Sequence, residues 1–340
     1  MMRARFPLLA ASLFVVALCV PCHAQEKVLR LPDKPTPEEQ GLVAALNEKR
    51  VDVSFADAQI SDAMNYLRDL TGVNIVLVGE SIKKRAVTMD IKGVSLGAAL
   101  NLAAGPEGAC SVLGNAVCVG SAGDVDAVMK NDVLLPEDPT PEEAEMIEML
   151  DKKRVTISFE QTPMADVVNF LGTLTEMNAV LVGDKMRKDT RTVNLDNATL
   201  RIAARILADV GGRAAVIGNC LCLGEAKDVE TVFGKDALIP DNPKDNEIAL
   251  YGALKDKKMD VSFEETPLPD VTRFLQTLLE CNVVADEEIA AKYQASLTIR
   301  KGGFDTVLRL ICGPDLNYGI AHEVIYISTD ERLKKMVGGK

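Results

Sequence analysis

The chain has 340 residues, with 38 Lys or Arg against 50 Asp or Glu, so its formal net charge at pH 7 is −12. A chain this acidic repels phosphate backbones, which argues against a nucleic-acid-binding protein. Aromatic residues make up only 4% and tryptophan is absent, so the sequence does not favour a protein that stacks bases or sugars.

The first residues have the form of a leader. Arg3 and Arg5 precede an apolar run over residues 7–20, and small residues lead up to Ala24. A short basic segment, a short apolar run and small residues before the cleavage point are typical of a secretory signal peptide. We therefore predict export, with cleavage near Ala24, and no transmembrane span in the mature chain.

One pattern then recurs at a step of 104 residues. Val53-Ser54-Phe55 returns as Ile157-Ser158-Phe159 and as Val261-Ser262-Phe263. A unit this long is large enough to be a small domain with its own core. The predicted divisions are a signal peptide at 1–24, a linker with a short helix at 25–50, domains at 51–129, 155–233 and 259–337, and linker helices at 130–154 and 234–258.

Each copy begins with a proline-rich joint and a short acidic helix. Thr36-Pro37-Glu38-Glu39 predicts a capping box, in which the Thr and the Glu three residues later cap the helix start. Residues 140–143 repeat this pattern. In the third copy the Thr is lost, and Asp245 could cap the helix instead.

A strand and an amphipathic helix follow. Val51, Val53 and Phe55 alternate as in a half-buried strand. Helical spacing predicts an inward face made of Ile60, Met64, Leu67 and Leu70, of Met164, Val168, Leu171 and Leu174, and of Leu268, Val271, Leu275 and Leu278.

Two more strands, a second helix and a closing hairpin complete the unit. Residues 74–78 and 87–91 read as strands, and Leu96, Ala99 and Leu100 mark the second helix. Gly114-Asn115 is a two-residue turn signal between apolar strands. The predicted fold is therefore α+β, with three tandem small β-α-β-β-α-β-β domains joined by short Pro-capped helices.

This pattern resembles the secretin and TonB short N-terminal domain. The residues that carry the resemblance in the first copy are Phe55, Ile60, Asp62-Ala63, Leu67, the run 70–76, Val87-Thr88, Leu96 and Ala99-Leu100. It covers about 70 residues of each copy, and the third copy replaces the Thr-Gly pair of the first with Leu279-Glu280. These are core-forming positions, so the resemblance concerns the fold more than the partner.

The resemblance implies a periplasmic interaction module that docks envelope proteins of a secretion, pilus or TonB and sigma-regulator system. Up to Lys340 the sequence shows no long series of alternating strands, so we do not expect this chain to form a pore by itself. The sequence also leaves open whether the chain forms an oligomer.

Cysteines are the main candidates for chemistry. Cys220 and Cys222 lie two apart on a strand and could bind a soft metal or form a redox pair, although Leu221 and Leu223 predict that the cysteines face outward. A two-residue turn would place Cys110 opposite Val119, away from Cys118, whereas a three-residue turn would let Cys110 and Cys118 form a disulfide. Cys281 and Cys312 look like buried small residues that could also pair.

No catalytic set accompanies these thiols. The only histidine after the leader, His322, falls at the predicted third hairpin turn, which leaves no partner for a serine or cysteine nucleophile. We therefore expect no cofactor and no enzyme activity. The leading hypothesis is a non-enzymatic adaptor that binds proteins, and the alternative is a thiol-redox or metal-handling protein that uses Cys220 and Cys222.

Overall fold

Three copies of one α+β unit follow each other in a computed structural model that describes residues 29–337. The predicted signal peptide and its predicted cleavage site lie outside the described residues. In each unit the strands and helices come in the predicted β-α-β-β-α-β-β order, between a helix that precedes the first strand and one that follows the last. The fold-class prediction is confirmed.

Equivalent elements keep the 104-residue register. The first repeat contains α1 (Pro37–Glu48), β1 (Arg50–Gln59), α2 (Ile60–Thr71), β2 (Asn74–Leu77), β3 (Ala86–Ser95), α3 (Leu96–Ala104), β4 (Gly108–Leu113), β5 (Ala116–Ser121) and α4 (Ala122–Lys130). The second contains α5 (Pro141–Lys152), β6 (Arg154–Pro163), α6 (Met164–Thr175), β7 (Asn178–Val182), a 3₁₀ turn (Lys185–Lys188), β8 (Thr190–Thr199), α7 (Leu200–Ala208), β9 (Gly212–Ile217), β10 (Cys220–Glu225) and α8 (Ala226–Phe233). The third contains α9 (Asp245–Lys255), β11 (Lys258–Pro267), α10 (Leu268–Leu279), β12 (Asn282–Ala285), α11 (Glu287–Ala290), β13 (Gln294–Gly303), α12 (Phe304–Cys312), β14 (Asn317–Ala321), β15 (Val324–Ser328) and α13 (Asp330–Val337).

Every repeat contains two sheets. One is a long antiparallel ribbon, β1–β3 in the first repeat, and the other is a three-stranded sheet in the order β2-β5-β4, with β2 parallel and β4 antiparallel to β5. The segment before each first helix adds a single bridge to this second sheet, pairing Arg30 with Ser111, Leu134 with Ala215 and Leu238 with Gly319. One edge of each three-stranded sheet is therefore partly covered by its own chain.

The ribbon is bulged near its end. Val51 pairs with Val94 and Val53 with Ile91, so two residues of β3, Lys92 and Gly93, face a single residue of β1. The second and third ribbons have the same bulge, at Asp196-Asn197 and at Arg300-Lys301. The bulges of the second and third ribbons contact the preceding repeat.

The helix caps agree with the sequence in two copies and differ in the third. Thr36 and Glu39, and Thr140 and Glu143, form the predicted capping boxes. In the third repeat α9 begins at Asp245 itself, and the Glu247 carboxylate accepts the backbone N–H of Lys244 at 2.8 Å. Asp245, the possible cap in the sequence, is therefore the first residue of the helix, and the cap position falls on Lys244.

The inward face of the first long helix differs from the predicted one at two leucines. Ile60, Met64 and Leu67 are buried, but Leu70 is 50% exposed and its equivalent Leu174 is 42% exposed. The buried stripe continues instead through Thr71 and Thr175, whose hydroxyls donate to the carbonyls of Leu67 and Leu171. A threonine that satisfies its hydroxyl within the helix can be buried where a leucine was expected.

Consecutive repeats pack directly on one another. The outer face of the first three-stranded sheet, including Val76, Val78 and Cys118, lies in the same apolar cluster as the core of the second repeat. The equivalent face of the second sheet, including Val180 and Cys222, lies in the core cluster of the third repeat. Each junction therefore continues a hydrophobic core across two repeats.

Candidate interaction surfaces

A partly exposed pair of aromatic rings stands at the same place in every repeat. An aromatic residue of the first ribbon strand packs edge-on against one of the following helix, with ring centroids 5.4–5.8 Å apart. The three pairs are Phe55 with Tyr66, Phe159 with Phe170, and Phe263 with Phe274. Edge-to-face contacts of this kind fix ring orientation.

The outer ring of each pair is accessible to solvent. Tyr66 is 51% exposed, Phe170 46% and Phe274 43%. One helical turn later on the same face come Leu70 and Leu174, which are also exposed, and Leu278, which is half-buried. We call each set of two rings and one leucine an aromatic patch; the patches are Phe55, Tyr66 and Leu70; Phe159, Phe170 and Leu174; and Phe263, Phe274 and Leu278.

These patches hold much of the exposed large apolar surface of the described residues. Of eleven large hydrophobic side chains that are exposed between residues 29 and 337, five belong to the aromatic patches. Isolated exposed apolar residues are ordinary, but the same arrangement of rings and leucine in three repeats is a regular feature. Rigid aromatic anchors of this type contribute heavily to protein–protein interfaces.

The cysteine pair of the second repeat lies in the junction with the third. Cys220 and Cys222 are fully buried, because the outward face predicted for them is covered by the third repeat. Burial raises the pKa of the Cys220 thiol well above its ordinary range and that of Cys222 to about 12. Thiols in such an environment stay protonated at neutral pH and are poor nucleophiles and metal ligands.

The other cysteines do not form the predicted disulfides with one another. Cys110 pairs with Val119 and Cys118 with Ser111, as expected for the two-residue Gly114-Asn115 turn, and no disulfide joins them. Cys312 is buried, whereas Cys281 is half-buried rather than buried as expected, and these two are not bonded to each other.

A cleft lies at each of the two junctions. In the first, Gly79 and Asp124 face residues 188–191, and Gly183 and Asp228 occupy the same places in the second. Both clefts mix acidic and basic side chains. Within residues 29–337 no group of three His, Cys, Asp or Glu side chains is placed to hold a metal ion. His322 lies exposed at the third hairpin turn, as predicted.

Comparison with protein-family models, curated proteins and solved structures finds no match to this chain. The resemblance to the short N-terminal domain therefore stays a hypothesis. In the described part of the chain, no helix combines the length and apolarity needed to cross a membrane.

Sequence reasoning missed the aromatic patches, although a signal was present. The chain has only nine Phe and five Tyr, and six of these fourteen residues recur in the 104-residue register as the ring pairs. Leu70 and Leu174 were assigned to the core because they continue a helical spacing. An i, i+4 pair such as Tyr66 and Leu70 forms a second stripe beside the core stripe, which spacing alone does not separate.

Proposed function

We propose that this chain is a non-enzymatic adaptor of the periplasm, in which three rigidly joined domains of the short N-terminal type bind envelope proteins. The observation that carries the proposal is the aromatic patch, repeated once per domain with its ring geometry preserved. A secretion, pilus or signalling assembly is the setting that the sequence resemblance favours. The buried thiols of Cys220 and Cys222 give no support to the redox or metal alternative.

The patches suggest how such an adaptor would bind. Partly exposed rings held by a second ring lose little conformational freedom on binding, so they act as prepared anchors. Three patches on one chain also allow a partner with several binding segments to gain affinity through multivalency. The proposed partner surface is therefore apolar at its centre, because the patches present rings and leucines rather than charges.

A set of patch variants tests this function. Tyr66→Gln, Phe170→Gln and Phe274→Gln, alone and combined, would be compared with the parent in crosslinking and affinity purification from envelope extracts. Each single variant should reduce recovery of the partner several-fold, and the triple variant should abolish it. The matched control is Ile248→Gln, which alters an equally exposed residue (54%) outside the patches. Equal recovery by the triple variant and the parent would refute the proposal.

A further inference from the structure

The two junctions within the chain are built from the same pair of surfaces. One surface, which we call the exit face, consists in the first repeat of Asn74, Val76, Gly114 and Asn115. Its partner, the entry face of the following repeat, consists of Asp196, Asn197, Ile202 and Ile206. The second junction repeats both surfaces 104 residues later.

Hydrogen bonds define how the surfaces meet. The side chain of Asn115 donates to the carbonyls of Asp196 and Asn197, both at 3.0 Å. In the second junction Asn219 donates in the same way to Arg300 and Lys301, at 3.0 and 3.2 Å. The bulge of the ribbon is thus the acceptor for the hairpin turn of the preceding repeat.

Within residues 29–337, the entry face of the first repeat and the exit face of the third are not covered by a counterpart. On the exit side, Val284 of the third repeat is 47% exposed, whereas its equivalents Val76 and Val180 are each 3% exposed. On the entry side, Leu102 of the first repeat is 55% exposed, whereas its equivalents Ile206 and Leu310 are 1% and 7% exposed. Both are apolar positions that every internal junction covers.

The two uncovered surfaces carry side chains that differ in size from those of the internal junctions. One surface has a larger residue and the other has a smaller residue at the matching position. Gly114 and Gly218 of the internal exit faces are replaced by His322, which adds bulk at the hairpin turn. That turn meets Ile202 or Thr306 in the internal junctions. At the same place the first repeat has Ala98, an exposed small residue that leaves room for a larger partner.

The charges change in a complementary way as well. Glu323 replaces the donor Asn115 or Asn219, so the third exit face has a carboxylate where the internal exit faces have an amide, and this carboxylate accepts a hydrogen bond from the Asn246 side chain. Lys92 occupies the position of Asp196 and Arg300 in the first repeat. Arg50 occupies the position of Arg154, whose partner Glu38 across the first junction is replaced by the neutral Asn246 in the third repeat. Both Lys92 and Arg50 are exposed. The acidic Glu323 of the third exit face therefore corresponds to the basic Lys92 of the first entry face.

We propose that copies of this chain associate head to tail, with the exit face of the third repeat on the entry face of the first repeat of a second copy. Asn282, the exposed equivalent of Asn74 and Asn178, would bind the backbone of Lys92 as they bind Asp196 and Arg300. Because the two surfaces differ, each added copy leaves another end open, and assembly continues as a filament unless it closes into a ring.

A charge exchange tests this contact. Sedimentation velocity of the mature chain at low ionic strength should show a mass that rises with protein concentration. Lys92→Glu and Glu323→Lys should each weaken association at least tenfold, because each variant opposes like charges. An equimolar mixture of the two should recover association, since every contact in an alternating assembly then joins a lysine to a glutamate. The double variant should also associate by itself.

Two further measurements separate this contact from a general effect of charge or folding. Lys152→Glu, an exposed change in the middle repeat, should associate like the parent. Leu102→Gln should weaken association while its thermal unfolding matches the parent, because Leu102 is exposed in a single copy. A parent that stays monomeric at all concentrations, or a mixture that does not recover association, would overturn the proposal. Loss of binding to envelope partners in a patch variant leaves this result unaffected, because the patches lie outside both faces.

Discussion

Asn74 and Asp196 are joined by two hydrogen bonds across the first junction. The Asn74 side chain donates to the Asp196 carbonyl and accepts the Asp196 backbone N–H, both at 2.8 Å. Asn178 holds Arg300 in the same way across the second junction, also at 2.8 Å. A side-chain amide thus takes the role of a neighbouring strand at the edge of a sheet, and it fixes the orientation of one repeat on the next.

Replacing this amide should destabilise the chain. In Asn74→Ala the partly buried backbone N–H of Asp196 loses its partner, which costs about 1–3 kcal/mol. Urea unfolding followed by circular dichroism measures this loss. Asn282→Ala is the matched control, because its side chain is exposed and should change the free energy of unfolding by less than about 0.5 kcal/mol in dilute protein. Equal stability of the two variants would show that the Asn74 amide contributes nothing to the free energy of unfolding.

The hairpin turns of the first two repeats should not tolerate a side chain at their glycines. Gly114 has φ of 58°, and a Cβ at this position would lie 2.6 Å from Cγ1 of Ile202. Gly114→Ala therefore combines backbone strain with overlap, and we expect a loss of about 2–4 kcal/mol in the free energy of unfolding. A double-mutant cycle with Ile202→Ala separates the two contributions, because only the overlap is relieved by the smaller partner. Strictly additive losses would mean that the two residues do not interact.

The sequence was sufficient to predict the repeat and most of its elements. Capping boxes such as Thr36 with Glu39 and turns such as Gly114-Asn115 depend on neighbours close in the chain, and both were predicted correctly. The failures involve more distant neighbours. Nothing near Cys220 and Cys222 in the sequence indicates that the third repeat covers them, because burial at a junction depends on residues more than 30 positions away.

The aromatic patches were missed for a related reason. Spacing along the first long helix assigns Leu70 to the core, but the ribbon and helix meet along a stripe that ends at Thr71. Only the position of Phe55 on the ribbon shows that Tyr66 and Leu70 lie beside the core rather than in it. The 104-residue recurrence of the rings was visible in the sequence, whereas their exposure was not.

Patch variants should leave the fold largely intact. Phe170 is 46% exposed, so Phe170→Gln removes one edge-to-face contact and part of a buried surface, at a cost below about 2 kcal/mol. Leu171, the next residue, is fully buried, and Leu171→Ala should cost about 2–5 kcal/mol. Thermal unfolding of both variants checks this contrast. If Phe170→Gln were as destabilising as Leu171→Ala, the ring would be a core residue.

One thiol should react before the others. Cys281 is half-buried, whereas Cys110, Cys118, Cys220, Cys222 and Cys312 are buried. Titration of the native protein with a thiol-specific aromatic disulfide should show one fast equivalent, with the rest released on unfolding. Cys281→Ser should remove the fast phase alone. A fast phase that persists in this variant would place a different cysteine at the surface.

Alkaline pH should weaken the fold through the buried thiols. Burial raises the pKa of Cys118 from about 9 to about 12, and it raises the pKa values of Cys222 and Cys312 to about 12 as well. Above pH 9 the unfolded chain releases these protons while the folded chain retains them, so stability falls as pH rises towards 12. Each thiol should contribute a loss of about 1.4 kcal/mol per pH unit within this window and none below it.

A single substitution isolates this contribution. Urea unfolding of the parent and of Cys118→Ala would be compared at pH 8, where the thiol is neutral in both states, and at pH 10. Other groups that titrate in this range, such as lysines and tyrosines, are common to the two proteins and cancel in the difference.

The variant should be less stable than the parent at pH 8 because a buried side chain is shortened. The difference in the free energy of unfolding between parent and variant should then narrow by about 1.4 kcal/mol at pH 10, since only the parent has this thiol to keep protonated. A gap that stays constant would mean that Cys118 does not remain neutral and buried in the folded protein.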